Sequence, residues 1–249
     1  MRFPALRGII DRRILANYRV DPGCMAAVLP PPFRPQLVRG FSIGGICLIR
    51  LKQVRPKSFP LPWGLQSENA AHRIAVEWDE GGITKKGVYI PRRDTNSRLN
   101  AWAGGRVFQG VHRHAVFDVS ETDSTLSVTM RADDGTAAVH VQGRVAESID
   151  ADSVFGTVEA ASQFFESGSL GYSDCKHDGV YEGLELRCAK WKVVSLAVDE
   201  IHSSFFEHQG TFPPGSVKFD CALLMRGILH EWHALPNLRG SLEGANRFQ

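Results

Sequence analysis

Apolar and polar positions alternate with a period of two over most of this chain, and only short stretches switch to a period near 3.6. Alternation marks half-buried strands, and the longer period marks amphipathic helices. The pattern predicts strands at Arg13–Arg19, 37–53, 70–78 and 85–91, then a meander at 111–120, 124–132 and 136–147. Further strands are predicted at 169–175, 180–188, 190–200 and 216–226. The stretch DEGGI, Asp79 to Ile83, reads as a hairpin turn whose glycines take positive φ. Turns at Glu121–Asp123 and at Asp133-Asp134-Gly135 punctuate the meander.

Three helices interrupt the strands. Asp21 caps the first and Pro22 opens it, and Pro30-Pro31-Pro32 lies beyond its end. The second is predicted over 95–103, with Asp94 or Thr95 as N-cap and Gly104-Gly105 closing it. The third runs from Asp152 to Glu166, with Val154, Val158, Ala161, Phe164 and Phe165 on one face and Gly168 at its end. Three prolines between 54 and 67 mark an ordered loop, with strand-like sequence on both sides of it. The fold class is therefore α+β and mostly β. The expectation is one domain, 1–249, built as a closed or strongly bent antiparallel-rich β-barrel with two or three peripheral helices.

Composition narrows the function classes. The chain has 249 residues, 43% hydrophobic and 22% charged, which is ordinary for a globular protein. Net charge is +2 and no lysine- or arginine-rich block occurs, so no nucleic-acid partner is expected. The five cysteines (Cys24, Cys47, Cys175, Cys188, Cys221) are odd in number and form no CxxC. With no signal-peptide apolar run and no span-length apolar segment, a cytoplasmic protein with free thiols and no membrane association is expected. No HExxH occurs, and His112 and His114 form only a period-two pair, so no metal is expected. GFSIGG at 40–45 lacks the GxGxxG and P-loop patterns, and no cofactor is expected. Neither Ser173 nor Ser203-Ser204 sits in a GxSxG elbow.

The informative feature is charge at strand ends. It occurs at Asp11-Arg12-Arg13, at Glu68-Asn69 with His72, Arg73 and Glu77, and at Arg92-Arg93-Asp94 with Asn96 and Arg98. Adjacent arginines on a strand point to opposite faces. Parity puts Arg92 on the face of Val88 and Ile90, unless Pro91 breaks the register, so the choice between Arg92 and Arg93 stays open. Two arrangements fit. One is an ion-pair network joining Arg13 or Arg93 to Glu68, Glu77 or Asp94. The other is an anion pocket, because the planar guanidinium grips a carboxylate with two parallel hydrogen bonds.

The segments RRILANYRVDP, LPPPFRP, SENAAHRIAVEW, GVYIPRRDTNSRL, FFESGSLGYS and FDCALLMRGILHEWH span residues 12 to 233. Together they resemble the YqjF-like domain-of-unknown-function family, which is grouped by fold with the acetoacetate decarboxylase-like superfamily. The resemblance implies a cavity at the centre of the barrel. In the decarboxylases a lysine with a lowered pKa forms a Schiff base with a 3-oxo acid. Their arginine–glutamate pair matches Arg93-Asp94 in type and place, and their pocket arginine falls on Arg12 or Arg13. Their lysine pair would fall near Arg98 to Ala101, where this chain has no lysine. A pocket glutamate of theirs falls near Ser42. Lys85-Lys86, Lys190 and Lys192 read as solvated strand positions.

The resulting expectation is a small organic acid bound by Arg13, Arg93, Arg92, Asn69 and Arg98 without a Schiff base. Glu68, Asp94 or His72 would serve as the acid/base group for enolisation, hydration or dehydration of an oxo or hydroxy acid. The alternative is a non-catalytic ligand-binding or scaffold protein. A homodimer is the assembly considered.

Overall fold

The computed structural model describes residues 5–58, 63–105, 109–175 and 177–240. In it the strands at Leu6–Val20, Leu65–Glu80, Ile83–Thr95 and Val217–Ala234 run longer than the hydrophobic pattern marks, and those of the meander do not. In chain order they are β1 (Leu6–Val20), β2 (Arg34–Pro35), β3 (Leu37–Val38), β4 (Phe41–Pro56), β5 (Leu65–Glu80), β6 (Ile83–Thr95) and β7 (His112–Glu121). There follow β8 (Thr125–Ala132), β9 (Ala138–Ala146), β10 (Leu170–Asp174), β11 (Val180–Cys188), β12 (Val194–Ser203), β13 (Val217–Ala234) and β14 (Leu238–Arg239). The helices are α1 (Pro22–Val28), α2 (Arg98–Ala103) and α3 (Val158–Ser167).

Five long strands form one wall in the order β13–β1–β4–β5–β6, every neighbour antiparallel. The wall closes on itself by two routes. Thr95 and its neighbours on β6 pair in parallel with β7, and the meander β7–β8–β9 returns through β12 to Val194–Leu196 against β13. Further back along β6, Val88 to Ile90 pair in parallel with β10, and β11 returns to the far end of β13 at His230 to Ala234. The result is a large, antiparallel-rich mixed sheet that closes in a ring, with three helices among the described residues.

The two faces of the wall belong to different cores, as the period-two rule requires. One core takes Ile14, Ala16 and Tyr18 from β1, Ile46 and Leu48 from β4, and Leu126, Val128 and Met130 from β8. The other takes Leu15, Cys47, Ile49, Leu223 and Met225 from the wall, with Phe165 and Ala161 of α3 packed against them.

Two bulges set which residue faces which core. In β1, Ile10 pairs with Leu51 and Arg12 with Arg50, so Asp11 is an extra residue against β4. In β6, Arg92 pairs with His72 but Tyr89 pairs with Ile74, so Ile90 and Pro91 together oppose Arg73 alone. A bulge is one of the few places where a strand accepts proline, and one extra residue reverses the parity beyond it.

Several boundaries differ from the pattern. β6 continues through Pro91 to Thr95 because the bulge absorbs the proline, so α2 begins only at Arg98, and Ser97 rather than Asp94 or Thr95 is its N-cap. Asp220 pulls Ser153 and Val154 into a turn, with Ser153 Oγ donating at 2.7 Å and Val154 N–H at 2.9 Å. α3 therefore starts after Thr157, not at Asp152. β13 passes through Gly227, at φ 65, and extends to Ala234 rather than stopping at 226. Lys190 and Lys192 precede β12 instead of sharing one of its faces. Within the 54–67 stretch, β4 runs to Pro56, and residues 59–62 lie outside the described residues.

Gly45 is required where β4 crosses β1. A Cβ there would stand 2.5 Å from the Ala16 carbonyl oxygen. Gly45→Ala is expected to cost about 1–3 kcal/mol by overpacking, read as a lower urea midpoint at unchanged slope.

Candidate functional site

On the α3 side of the wall lies a cavity of about 280 Å³. Four arginines line it, Arg13, Arg55, Arg73 and Arg93, together with Cys47, Ser67, Asn69, Asn100 and His112. Ile49, Leu51, Ile90, Leu184, Leu186 and Trp191 supply apolar surface. Strand register explains the convergence. Cys47 pairs with Ala71 and Ala71 with Arg93, forming one row across β4, β5 and β6. Arg13, Ile49 and Asn69 form the next row on one side, and Asn17, Gly45 and Arg73 the next on the other. The bulge at Ile90-Pro91 turns Arg93, rather than Arg92, onto the face that Ile90 shares. At Gly45 no side chain intervenes, and the Arg73 guanidinium reaches across it to donate to Asn17 Oδ1.

The opposite face shows how this fold treats a buried arginine with no ligand to meet it. Arg12 is fully buried and pairs with Glu68 and, at 3.4 Å, with Glu121. Arg50 pairs with the same two carboxylates and with Asp11 at 3.5 Å. Arg92 holds Asp94 through a two-nitrogen fork at 2.8 Å and also meets Asp134 at 3.2 Å. Burial raises the Asp94 pKa and Arg92 offsets this only in part.

The cavity arginines are treated differently. Among the described residues none of the four has a carboxylate within ion-pair distance; Arg55 Nη1 donates to the Gln53 carbonyl oxygen at 3.0 Å and its buried Nε has no acceptor. Arg13 Nε donates to Cys47 Sγ at 3.1 Å and its Nη1 lies 4.0 Å from Met225 Sδ. Arg73 lies over the Phe165 ring at 4.6 Å, and its buried Nε has no acceptor. Arg93 Nε donates to Ser173 Oγ at 3.0 Å. Burial lowers the pKa of Arg73 and of Arg93 to about 10, which still leaves both protonated at neutral pH.

The sequence candidates thus separate. Arg13, Arg93 and Asn69 meet at the cavity. Glu68 and Arg92 are bound up in ion pairs, and so is Asp94, which contributes to the cavity wall but gives its carboxylate to Arg92. His72 is buried against Phe205 and Phe206 in the other core, with neither ring nitrogen hydrogen-bonded. Arg98 is exposed on α2. Ser42 is buried, and its hydroxyl has no partner. Arg73 and His112 were missing from the candidates. Arg73 had a signal, since it continues the period-two series Asn69, Ala71, Arg73 along one face. His112 had none beyond its pairing with His114, because the cavity is brought to it by the parallel β6–β7 contact.

His112 is held in its neutral form at neutral pH. Burial and the nearby Arg93 charge lower its pKa to about 4. Its Nδ1 lies 3.0 Å from the Gly110 carbonyl oxygen. A carbonyl only accepts, so Nδ1 carries the proton and Nε2 is the basic nitrogen.

The family model for DUF2071, described as an uncharacterized conserved protein, matches residues 10–221. The chain belongs to the DUF2071 family. No curated protein matches it. Among solved structures, an acetoacetate decarboxylase from Legionella pneumophila superposes with a TM-score of 0.60 at 12% identity, covering 94% of this chain and 88% of that one. The enduracididine biosynthesis enzyme MppR, complexed with pyruvate, gives 0.59 at 13% identity, covering 97% and 91%. An acetoacetate decarboxylase-like enzyme from Sphingomonas wittichii gives 0.54 at 12%, covering 96% and 92%. This DUF2071 chain therefore has the acetoacetate decarboxylase-like fold, as its sequence segments indicate.

None of the described lysines lines the cavity of this DUF2071 protein, and Lys176 lies outside the described residues. Over 98–101, where the resemblance places the decarboxylase lysines, the cavity-lining residue is Asn100. No described helix is long and apolar enough to cross a membrane. No group of three metal-ligating side chains occurs among the described residues.

Two outcomes are expected from this arrangement. Glu68→Ala leaves Arg12 buried beside a single distant carboxylate and should cost about 3–5 kcal/mol in urea denaturation. Stability should also fall as pH drops from 7 to 4. Burial lowers the pKa of His72 to about 3 and those of His112 and His230 to about 4, against 6.5 for a free imidazole. The unfolded chain binds these protons first, so the contribution is complete above pH 6.5 and is lost below it, at about 1.4 kcal/mol per proton and pH unit. His72→Phe should remove about one proton from that slope.

Proposed function

We propose that the cavity binds a small organic acid, held without a covalent bond by Arg13, Arg73 and Arg93. The observation that carries this is the missing counter-charge. Four guanidiniums, those three and Arg55, line one small cavity with no carboxylate partner among the described residues, while Arg12, Arg50 and Arg92 on the opposite face all have one. Leaving a buried charge unpaired costs several kcal/mol, and a bound carboxylate removes that cost. Asn69, with Ser67 and Asn100, gives a polar patch for a carbonyl or hydroxyl group: Asn69 Nδ2 donates to Ser67 Oγ at 2.9 Å and Asn100 Nδ2 at 3.3 Å. The pyruvate complex of MppR supports the reading, since a protein of this fold holds a 2-oxo acid.

The chemistry proposed for the site is proton transfer, not Schiff-base formation. An arginine stays protonated and cannot supply a neutral amine. His112, kept neutral, is the group proposed to take a proton from a carbon next to a carbonyl and return it, as enolisation or dehydration requires. This assignment replaces Glu68, Asp94 and His72 in that role, because the first two are ion-paired and the third lies in the other core.

Arg93→Met separates a ligand site from a structural brace. With no ligand added, the variant should melt at the wild-type temperature or above, since it removes an unneutralised buried charge. With pyruvate or acetoacetate at millimolar concentration, wild type should show a raised melting temperature and the variant none. A variant that melts several degrees lower and a wild type indifferent to every acid would mean that these arginines brace the fold.

A further inference from the structure

The number of unpaired charges specifies the ligand more closely. This step rests on the acid-binding reading above and asks how many acidic groups the acid carries. Each guanidinium has five N–H donors. Across Arg13, Arg73 and Arg93 the protein supplies four acceptors: two sulfurs, one amide oxygen and one hydroxyl. Neither terminal nitrogen of Arg93 has a protein acceptor among the described residues, and the Arg73 Nε has none. None of the four acceptors is a carboxylate.

One carboxylate satisfies one guanidinium fork. It leaves the other guanidiniums of the cavity without a counter-charge. The other face of the same wall gives the measure of what this fold requires: Arg12, Arg50 and Lys52, three cations, are met by three carboxylates, Glu68, Glu121 and Asp11. A monoacid in the cavity would reach nothing close to that balance.

Position argues the same way. Arg13, Arg93 and Arg73 come from three strands, β1, β6 and β5, and from three successive cross-strand rows. Rows two residues apart are separated by roughly 7 Å along the strands. Cys47 lies centrally among them, bonded to Arg13 and within electrostatic reach of Arg73 and Arg93. The three forks thus approach a central point from different sides. Between them lie Ile49, Ile90 and Trp191, which suit a short carbon chain and leave no further polar demand there.

We infer that the ligand is a short-chain acid with at least two carboxylates, one held near Arg13 and another near Arg93 and Arg73. A cavity of about 280 Å³ limits it to the size of a small metabolite.

Isothermal titration at constant ionic strength tests this on the full chain. The probes are acetate and pyruvate as monoacids, malonate, succinate and 2-oxoglutarate as diacids, citrate as a triacid, and inorganic phosphate. The expected result is a diacid or triacid that binds about tenfold or more tightly than pyruvate, as an additional charge-assisted pair implies. Arg13→Met and Arg93→Met should each reduce that ligand to monoacid affinity, while Arg144→Met, at an exposed ion pair with Asp199, should change nothing. Equal affinity for mono- and diacids would overturn the two-carboxylate inference and leave the acid-binding reading standing. Phosphate binding as tightly as any diacid would also overturn it, in favour of a single multiply charged group. No binding by any acid would remove the acid-binding reading itself.

Discussion

A guanidinium taken out of water needs a negative partner, and this requirement organises the molecule. The shared wall of five strands carries arginines on both faces. On one face, Arg12, Arg50 and Arg92 are answered by Glu68, Glu121, Asp11, Asp94 and Asp134. That face packs over the core that holds Ile14, Ile46 and Leu48. On the other face, Arg13, Arg73 and Arg93 surround open space, and the described chain offers them sulfur, hydroxyl and amide groups. The same wall thus holds a closed electrostatic system and an open one, back to back.

Much of this was legible in the sequence. Period-two alternation located the meander strands, which have one face in a core and the other more exposed, while β1 and β4 showed as apolar runs because both their faces are buried. The charged strand ends and the arginine doublets were visible as a cluster with two readings; an ion-pair network lies on one face, and arginines without a carboxylate partner among the described residues line the cavity on the other. What could not be read was which arginine served which reading. Parity counted from Val88 and Ile90 favoured Arg92, and it fails because Ile90 and Pro91 together oppose one residue of β5. A bulge depends on pairing with a distant strand, so local pattern does not reveal it. The α3 start was missed for a similar reason: Asp220, 66 residues from Val154, claims the turn that precedes the helix.

The likeness to acetoacetate decarboxylases supplies the frame and not the chemistry. At 12–13% identity the sheet and its closure are retained. Among the described residues the cavity is lined by guanidiniums, amides, hydroxyls, a thiol and an imidazole, with no amine. An amine nucleophile needs a site that favours its neutral form. A cavity lined by cations favours a neutral amine, yet no amine lines this one among the described residues.

The bulges at Asp11 and at Ile90-Pro91 stand beside the two arginine doublets, Arg12-Arg13 and Arg92-Arg93. In each doublet one member serves the closed system and its neighbour serves the open one. Substitution changes one of these duties at a time. Gain or loss of a single codon upstream in the strand exchanges them, bringing the paired arginine into the cavity and the unpaired one among the carboxylates. These two strands are accordingly places where chain length is constrained more tightly than residue identity, and descent with this site intact favours point replacement over insertion or deletion.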